Sequence, residues 1–165
     1  MKVYYLNNPT KGKLSLTKTV NEVAEILEAD PEALYRLVIG SDSQDRRLKG
    51  KKMADLVCAI VIHKKGCGGR YFWHKEQQNG FPSLRNKIYA ETLASLALAE
   101  KFMPLLTKRL NGKNNYELEI HIDVGQHGET RDMIKEVVGM VTGNGFTAKT
   151  KPDSYGATCV ADRYA

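Results

Sequence analysis

Four acidic residues stand where they could act together: Asp42, Glu91, Asp123 and Asp162. Asp42 follows an apolar run in Ile39-Gly40-Ser41-Asp42-Ser43-Gln44, and Asp123 closes another in His121-Ile122-Asp123-Val124-Gly125. Glu91 lies in the Ala/Leu-rich stretch Ala90-Glu91-Thr92-Leu93-Ala94, and Asp162 in the closing Val160-Ala161-Asp162-Arg163-Tyr164. A carboxylate fixed beside an apolar core is costly unless something compensates it, and neighbouring carboxylates repel one another. Divalent cations are the usual compensation. Hard oxygen donors without a Cys/His set suit Mg2+ or Mn2+ better than structural zinc. Taken singly, Asp42 and Asp123 read as strand-end turn or cap residues. Their combination on neighbouring strands and a bridging helix is what singles them out.

Glu91 is the sharpest of the set. It falls three residues after Ile88 and four before Ser95, at the edge of an apolar helical stripe, whereas Glu100 lies about half a turn away and should face solvent. The plainer reading of Glu91 is a pair with a neighbouring Lys or Arg.

Cations form a second set. Arg46-Arg47-Leu48-Lys49-Gly50-Lys51-Lys52 places five positive charges in seven residues, directly after the strand that carries Asp42. A solvated loop is one reading, and an arm that contacts phosphates is the other. Lys149 and Lys151 stand before the last helix, where they would hold phosphates at the opposite rim. Tyr71, Phe72 and Trp73 offer a base-stacking surface or, more simply, core packing. His63, His74, His121 and His127 are candidates for substrate contact or proton transfer, against the plain reading of surface or strand histidines. His121 is two residues from Asp123 and shares its face by strand alternation.

The elements that must position these residues follow from periodicity. Lys2 to Leu6 reads as a short strand. Thr17 to Ala29 reads as a helix, with Val20, Val23, Ile26 and Leu27 at helical spacing. Together they form an N-terminal extension over about 1–31, ended by Asp30-Pro31. Leu34 to Gly40 is a strand ending in the polar turn 41–44, Leu56 to Ile62 a second strand and Tyr71 to Trp73 a third, close enough to join as antiparallel hairpins. Leu84 to Leu106 is one long helix with Leu84, Ile88, Ser95, Ala99, Phe102 and Leu106 on one face. Leu118 to Val124 is a strand, Thr130 to Val141 a helix stopped by Gly143-Asn144-Gly145, Phe146 to Lys149 a short strand, and a terminal helix starts near Ser154. Helical crossovers imply parallel pairing of the later strands. The expected architecture is α/β, a mixed five-stranded sheet with three antiparallel strands and then parallel ones, flanked by helices.

The bulk properties bound the class. A chain of 165 residues supports one domain over 1–165. No run approaches the roughly 18 apolar residues of a membrane span, and the N-terminus turns polar too early for a secretory signal. A cytoplasmic location is the simplest expectation. Cys58, Cys67 and Cys159 are scattered and form no CxxC pair, which points to free thiols. The net charge of +6 mildly favours an anionic partner such as nucleic acid, and nothing marks an obligate protein partner.

On these residues the chain resembles the ribonuclease H-like superfamily. The matching segments are IGSDSQ, AETLASLALAE, HIDVG and VADRYA, arriving in the order in which that fold presents its acids. More narrowly it is similar to the bacterial YkuK-like family of ribonuclease H-related proteins, a likeness also carried by TRDMIKEVVGMVTGNGF and KTKP. The resemblance implies a nuclease in which Asp42, Glu91, Asp123 and Asp162 bind two Mg2+ or Mn2+ ions and hydrolyse a nucleic-acid phosphodiester, with Asp42 as shared ligand. The segment Lys149 to Ser154 lacks the His that many ribonucleases H carry there, and no separate basic helix is present. A non-catalytic nucleic-acid-binding module on the same fold is the main rival. A hydrolase of small nucleotides and an interaction domain without nucleic-acid affinity are the others.

Overall fold

The computed structural model describes residues 4–113, 115–154 and 156–165. The chain opens with a hairpin of β1 (Tyr5–Asn8) and β2 (Gly12–Ser15), followed by α1 (Leu16–Ala29). Three long strands come next: β3 (Tyr35–Leu48), β4 (Lys51–Lys64) and β5 (Gly69–Asn79). Then come α2 (Leu84–Arg109), β6 (Tyr116–His121), a 3-10 turn at Arg131–Met133, α3 (Ile134–Gly143), β7 (Thr147–Lys149) and α4 (Gly156–Tyr164).

All strands join one seven-stranded sheet in the order β2-β1-β5-β4-β3-β6-β7. The expected five-stranded mixed sheet is its larger part. β3, β4 and β5 pair antiparallel, and β6 and β7 add in parallel to the β3 side. The count of five is corrected by the N-terminal hairpin, which adds two strands to the β5 edge. Lys2 and Val3 of the strand expected at Lys2 to Leu6 lie outside the described residues. In the turn, Asn8 Oδ1 accepts the backbone N–H groups of Thr10 and Lys11, both at 2.9 Å, and Gly12 takes φ +72°. An Asn side chain that satisfies the backbone two and three residues on closes a turn which hydrophobicity does not announce. The hairpin is fastened to β5 largely by side chains. Asn7 and Asn8 donate their amides to the carbonyls of Trp73 and Tyr71, and His74 Nδ1 lies 2.7 Å from the Tyr5 carbonyl.

Alternation along β3 and β4 sends residues to two different layers. Leu37, Ile39, Cys58, Ile60 and Ile62 face the main core built with α1, α2 and α3. Val38, Val57 and Ala59 face a smaller cluster closed by Ala161 of α4. The aromatic run of β5 divides the same way. Phe72 is buried in the main core, while Trp73 stacks on Tyr164 with centroids 3.8 Å apart and Tyr71 hydrogen-bonds the Tyr164 hydroxyl at 2.8 Å. These rings pack the fold and hold α4 in place.

The long helix runs from a Ser83 cap, whose hydroxyl accepts the Asn86 N–H, to Lys108 and Arg109, two cations suited to a helix C-terminus. Ile88, Ser95, Ala99, Phe102 and Leu106 are buried as the spacing predicts, Glu91 is buried with them, and Glu100 is exposed. Leu84 departs from the expectation: it sits in the first turn, beyond the cover of the sheet, and is exposed.

The strands that carry the site are longer than their apolar runs. β3 continues through Ser41-Asp42-Ser43-Gln44 to Leu48, so the expected polar turn at 41–44 is strand interior. The expected loop at 46–52 is the tip of a two-stranded ribbon, closed between Leu48 and Lys51. Lys49 (φ +50°) and Gly50 (φ +77°) are both left-handed, the combination that two-residue hairpins need to match strand twist. Backbone pairing with β4 overrides the poor strand propensity of these charged residues. No helix among the described residues is long and apolar enough to cross a membrane.

Candidate active site

β6 ends at His121, opposite Gly40, while β3 runs eight residues further to Leu48. Past that point β3 has no strand partner on its β6 side among the described residues, and a crevice opens at the carboxyl ends of the parallel strands, the place where open α/β sheets bind ligands. A cleft of about 520 Å³ occupies it, lined among others by Asp42, Gln44, Asp123, Lys151, Ser154 and Asp162.

Each acid reaches the region from a different element. Asp42 points from β3 towards the α4 layer and is buried. Asp162 comes from α4, and Gln44 Nε2 reaches its Oδ1 at 3.4 Å. Asp123 lies just beyond β6. The chain there is tied to the end of β7 and the segment after it by Ile122 N–H to the Lys149 carbonyl (2.9 Å) and Lys151 N–H to the Val124 carbonyl (2.8 Å). This pairing brings Lys151 Nζ to 2.7 Å from Asp123 Oδ1. Glu91 is not in the cleft wall. It approaches from α2 on the other side of β3, where Ser43 donates its hydroxyl to Oε1 at 2.6 Å. Asp42, Asp123 and Asp162 therefore share one cleft, with Glu91 behind it.

Burial dominates the electrostatics. It raises the Asp42 carboxyl to about 6, helped by the hydrogen bond and charge of Asp162 and opposed by Lys87. Burial likewise raises Glu91 to about 7, against the Ser43 hydrogen bond and Lys87, while the charges of Asp42 and Asp123 push the same way as burial. That mutual influence places the acids within reach of one another's fields. Lys87 Nζ stands 3.5 Å from Glu91 Oε1 and 4.0 Å from Asp42 Oδ1. The plain pairing of Glu91 with a neighbouring lysine is thus present.

The cationic residues divide. Arg47, Lys49 and Lys51 are exposed and have no ion-pair partner among the described residues. Arg46 instead joins Lys75 in holding buried Asp55, each at 3.0 Å. Lys52 bonds the Phe81 carbonyl at 2.6 Å and Asp45 at 3.1 Å. Lys149 is half-buried on β7, in register with His121. His121 is buried on the layer of Asp123, 2.9 Å from Glu119 Oε2, and burial lowers its pKa against the pull of that carboxylate.

Among the described residues, no group of three or more His, Cys, Asp or Glu is drawn together tightly enough to hold a metal ion. The donor set still suits one in its chemistry. Two buried carboxylates pushed up by desolvation and by their neighbours gain most from a hard cation, and the thiol on the cleft wall, Cys159, stands exposed.

The sequence profile of the family described as Ribonuclease H-like matches residues 18–165. The chain belongs to the ribonuclease H-like family. A relative from Bacillus subtilis (strain 168), Uncharacterized protein YkuK, is 30% identical over 169 residues, covering 95% of this chain and 94% of its own. No solved structure matches the chain. Membership in the ribonuclease H-like family suggests a nuclease or nucleic-acid-binding role.

Sequence reasoning misses three residues of this ribonuclease H-like site: Lys87, Ser43 and Gln44. A lysine four residues before a buried glutamate is the available signal for the first. Ser43 and Gln44 are hidden because a polar run reads as a turn unless its partners, here Glu91 and Asp162, are known.

Proposed function

We propose that the protein is a divalent-metal-dependent nuclease that hydrolyses phosphodiester bonds of nucleic acid. The observation that carries this reading is the convergence of acids from β3, the end of β6 and α4 on one crevice at the carboxyl ends of parallel strands, with Glu91 of α2 behind it and within reach of their charges. Asp42, Glu91, Asp123 and Asp162 would hold Mg2+ or Mn2+. The bound cation would supply Lewis acidity to the phosphoryl group and lower the pKa of an attacking water.

The chain's own residues prepare the site. Ser43 fixes Glu91 and Gln44 fixes Asp162 by hydrogen bonds. The β3–β4 ribbon carries Arg47, Lys49 and Lys51 out from the strand that bears Asp42. At about 3.4 Å per residue, the end of β3 at Leu48 lies roughly 20 Å along from Asp42, a reach suited to the backbone of a polynucleotide. Lys151, on the cleft wall, and Arg46 are engaged with Asp123 and Asp55 of the protein itself.

The test is incubation of the purified protein with Mn2+ or Mg2+ and single-stranded, duplex, hybrid and branched substrates. Metal-dependent product supports the reading. Salt-sensitive retention without product supports the alternative, a non-catalytic nucleic-acid-binding module, which the lysines on Glu91 and Asp123 favour. A protein that hydrolyses small nucleotides and ignores polymers would refute both.

The ribbon has its own expected result. Removing Arg47 and Lys51 as Ala, and Lys49 as Asn to suit its left-handed backbone, should weaken duplex binding. The slope of log affinity against log salt should fall by about 2 to 3, near 0.9 for each phosphate that the ribbon no longer neutralises. An unchanged slope in a fluorescence-anisotropy titration would remove the ribbon from the interface.

A further inference from the structure

We propose that Lys87 is a built-in counter-cation of the acidic site, which holds the charge of Asp42 and Glu91 until a divalent cation displaces it. The inference rests on the metal-dependent reading above and assigns a residue that reading does not use. Among the described residues, Lys87 is the one Lys or Arg within 4.0 Å of either acid. Its side chain is 32% exposed, whereas those of Asp42 and Glu91 are 11% and 8% exposed. The ammonium therefore has a path to solvent, and its partners have little.

Helix energetics do not explain the placement. Lys87 lies close to the N-terminal end of α2, where a cation opposes the helix dipole. A Lys placed four residues before a Glu is also the weaker orientation of an i,i+4 pair. What Lys87 gains is access to two desolvated carboxylates at once, from two different elements. A lysine suits a displaceable role, being a compact charge on a flexible stem, whereas arginine tends to lock its carboxylate in a fixed fork. A divalent cation brings more charge to the same oxygens and repels the ammonium as it enters. Lys151 on Asp123 repeats the arrangement at the other wall of the cleft.

The experiment is calorimetric titration of the intact chain with MnCl2, comparing wild type with Lys87→Met and Lys87→Arg. Thermal melting of chelator-treated protein is the second readout. Lys87→Met is expected to bind Mn2+ roughly tenfold more tightly, the scale of one charge pair at a partly exposed site. It should also melt below wild type without metal, with the difference closed by Mn2+. Lys87→Arg should melt like wild type and bind Mn2+ no more tightly. Lys87→Gln gives the same comparison if the Met variant fails to fold. Equal Mn2+ affinity in wild type and the neutral variants would overturn the role of Lys87 and leave the metal-dependent reading standing. Absence of Mn2+ binding in every protein would overturn both.

Discussion

Asp42→Asn, Glu91→Gln and Asp123→Asn should each remove metal-dependent cleavage, by roughly a thousandfold, from a protein that still folds. Each change keeps side-chain volume and hydrogen-bonding capacity and deletes the negative charge. In Glu91→Gln the new side-chain amide oxygen can still accept the Ser43 hydroxyl, so the packing between α2 and β3 survives that substitution. What disappears is the field that would hold a divalent cation against a phosphodiester. The measurement is product formation with Mn2+ on the best substrate, alongside a chelated wild-type control that reports contaminating nuclease. Wild-type rates in any one variant would take that residue out of the site. Wild-type rates in all of them would take the chemistry away from this cleft.

Stability of the metal-free protein should fall as pH rises, the reverse of the usual behaviour of paired carboxylates. Glu91 is raised from 4.5 to about 7 and Asp42 from 3.8 to about 6, in both cases mainly by burial. Between the unfolded and folded values the native state binds more protons than the unfolded chain, so the slope of unfolding free energy against pH is negative. The loss begins near pH 4, where the unfolded carboxylates ionise, and is complete a little above pH 7. Glu91 alone accounts for about 3 kcal/mol, or roughly 6–12 °C in melting temperature for a domain of this size. Asp42 acts in the same direction. Melting curves with chelator from pH 4 to pH 8 should therefore show Glu91→Gln more stable than wild type at the alkaline end and no better at the acid end. Mn2+ should stabilise wild type at the alkaline end and do little for the variant. Parallel curves for the two proteins would mean that Glu91 carries no such penalty.

The legibility of this fold varies with how locally each feature is encoded. Glu91 is readable because helical geometry is rigid: a residue between Ile88 and Ser95 must lie beside the buried stripe, and it does. The antiparallel order of β3, β4 and β5 is readable because their apolar centres are short and joined by turn residues. Their true lengths are not. Ser41 to Gln44 stays in the strand because Cys58, Ser95, Glu91 and Asp162 satisfy its side chains, and those partners lie 17 to 118 residues away in sequence. The segment 46–52 announces itself by charge alone, and its extended form depends on pairing with β4. β2 escapes a sequence reading since Gly12 to Ser15 has no apolar alternation and depends on the turn set by Asn8. Of the site, the acids are legible as types and positions. A basic partner for Glu91 is legible too, but that it is Lys87 and that it also reaches Asp42 is not, since a Lys near a Glu is ordinarily a surface pair of little consequence.

The hairpin at the start of the chain bears on how the molecule behaves in a crowd. β5 is eleven residues long, and its outer edge would otherwise offer unpaired amides and carbonyls to any extended segment nearby. β1 occupies part of that edge, and the new rim, β2, is only four residues long and carries Lys13, with Lys11 in the turn before it. A short, cationic rim is a poor template for a neighbouring strand. Proteolytic clipping before Leu16 would uncover the longer edge, and the product would be prone to associate with itself through added strands at high concentration.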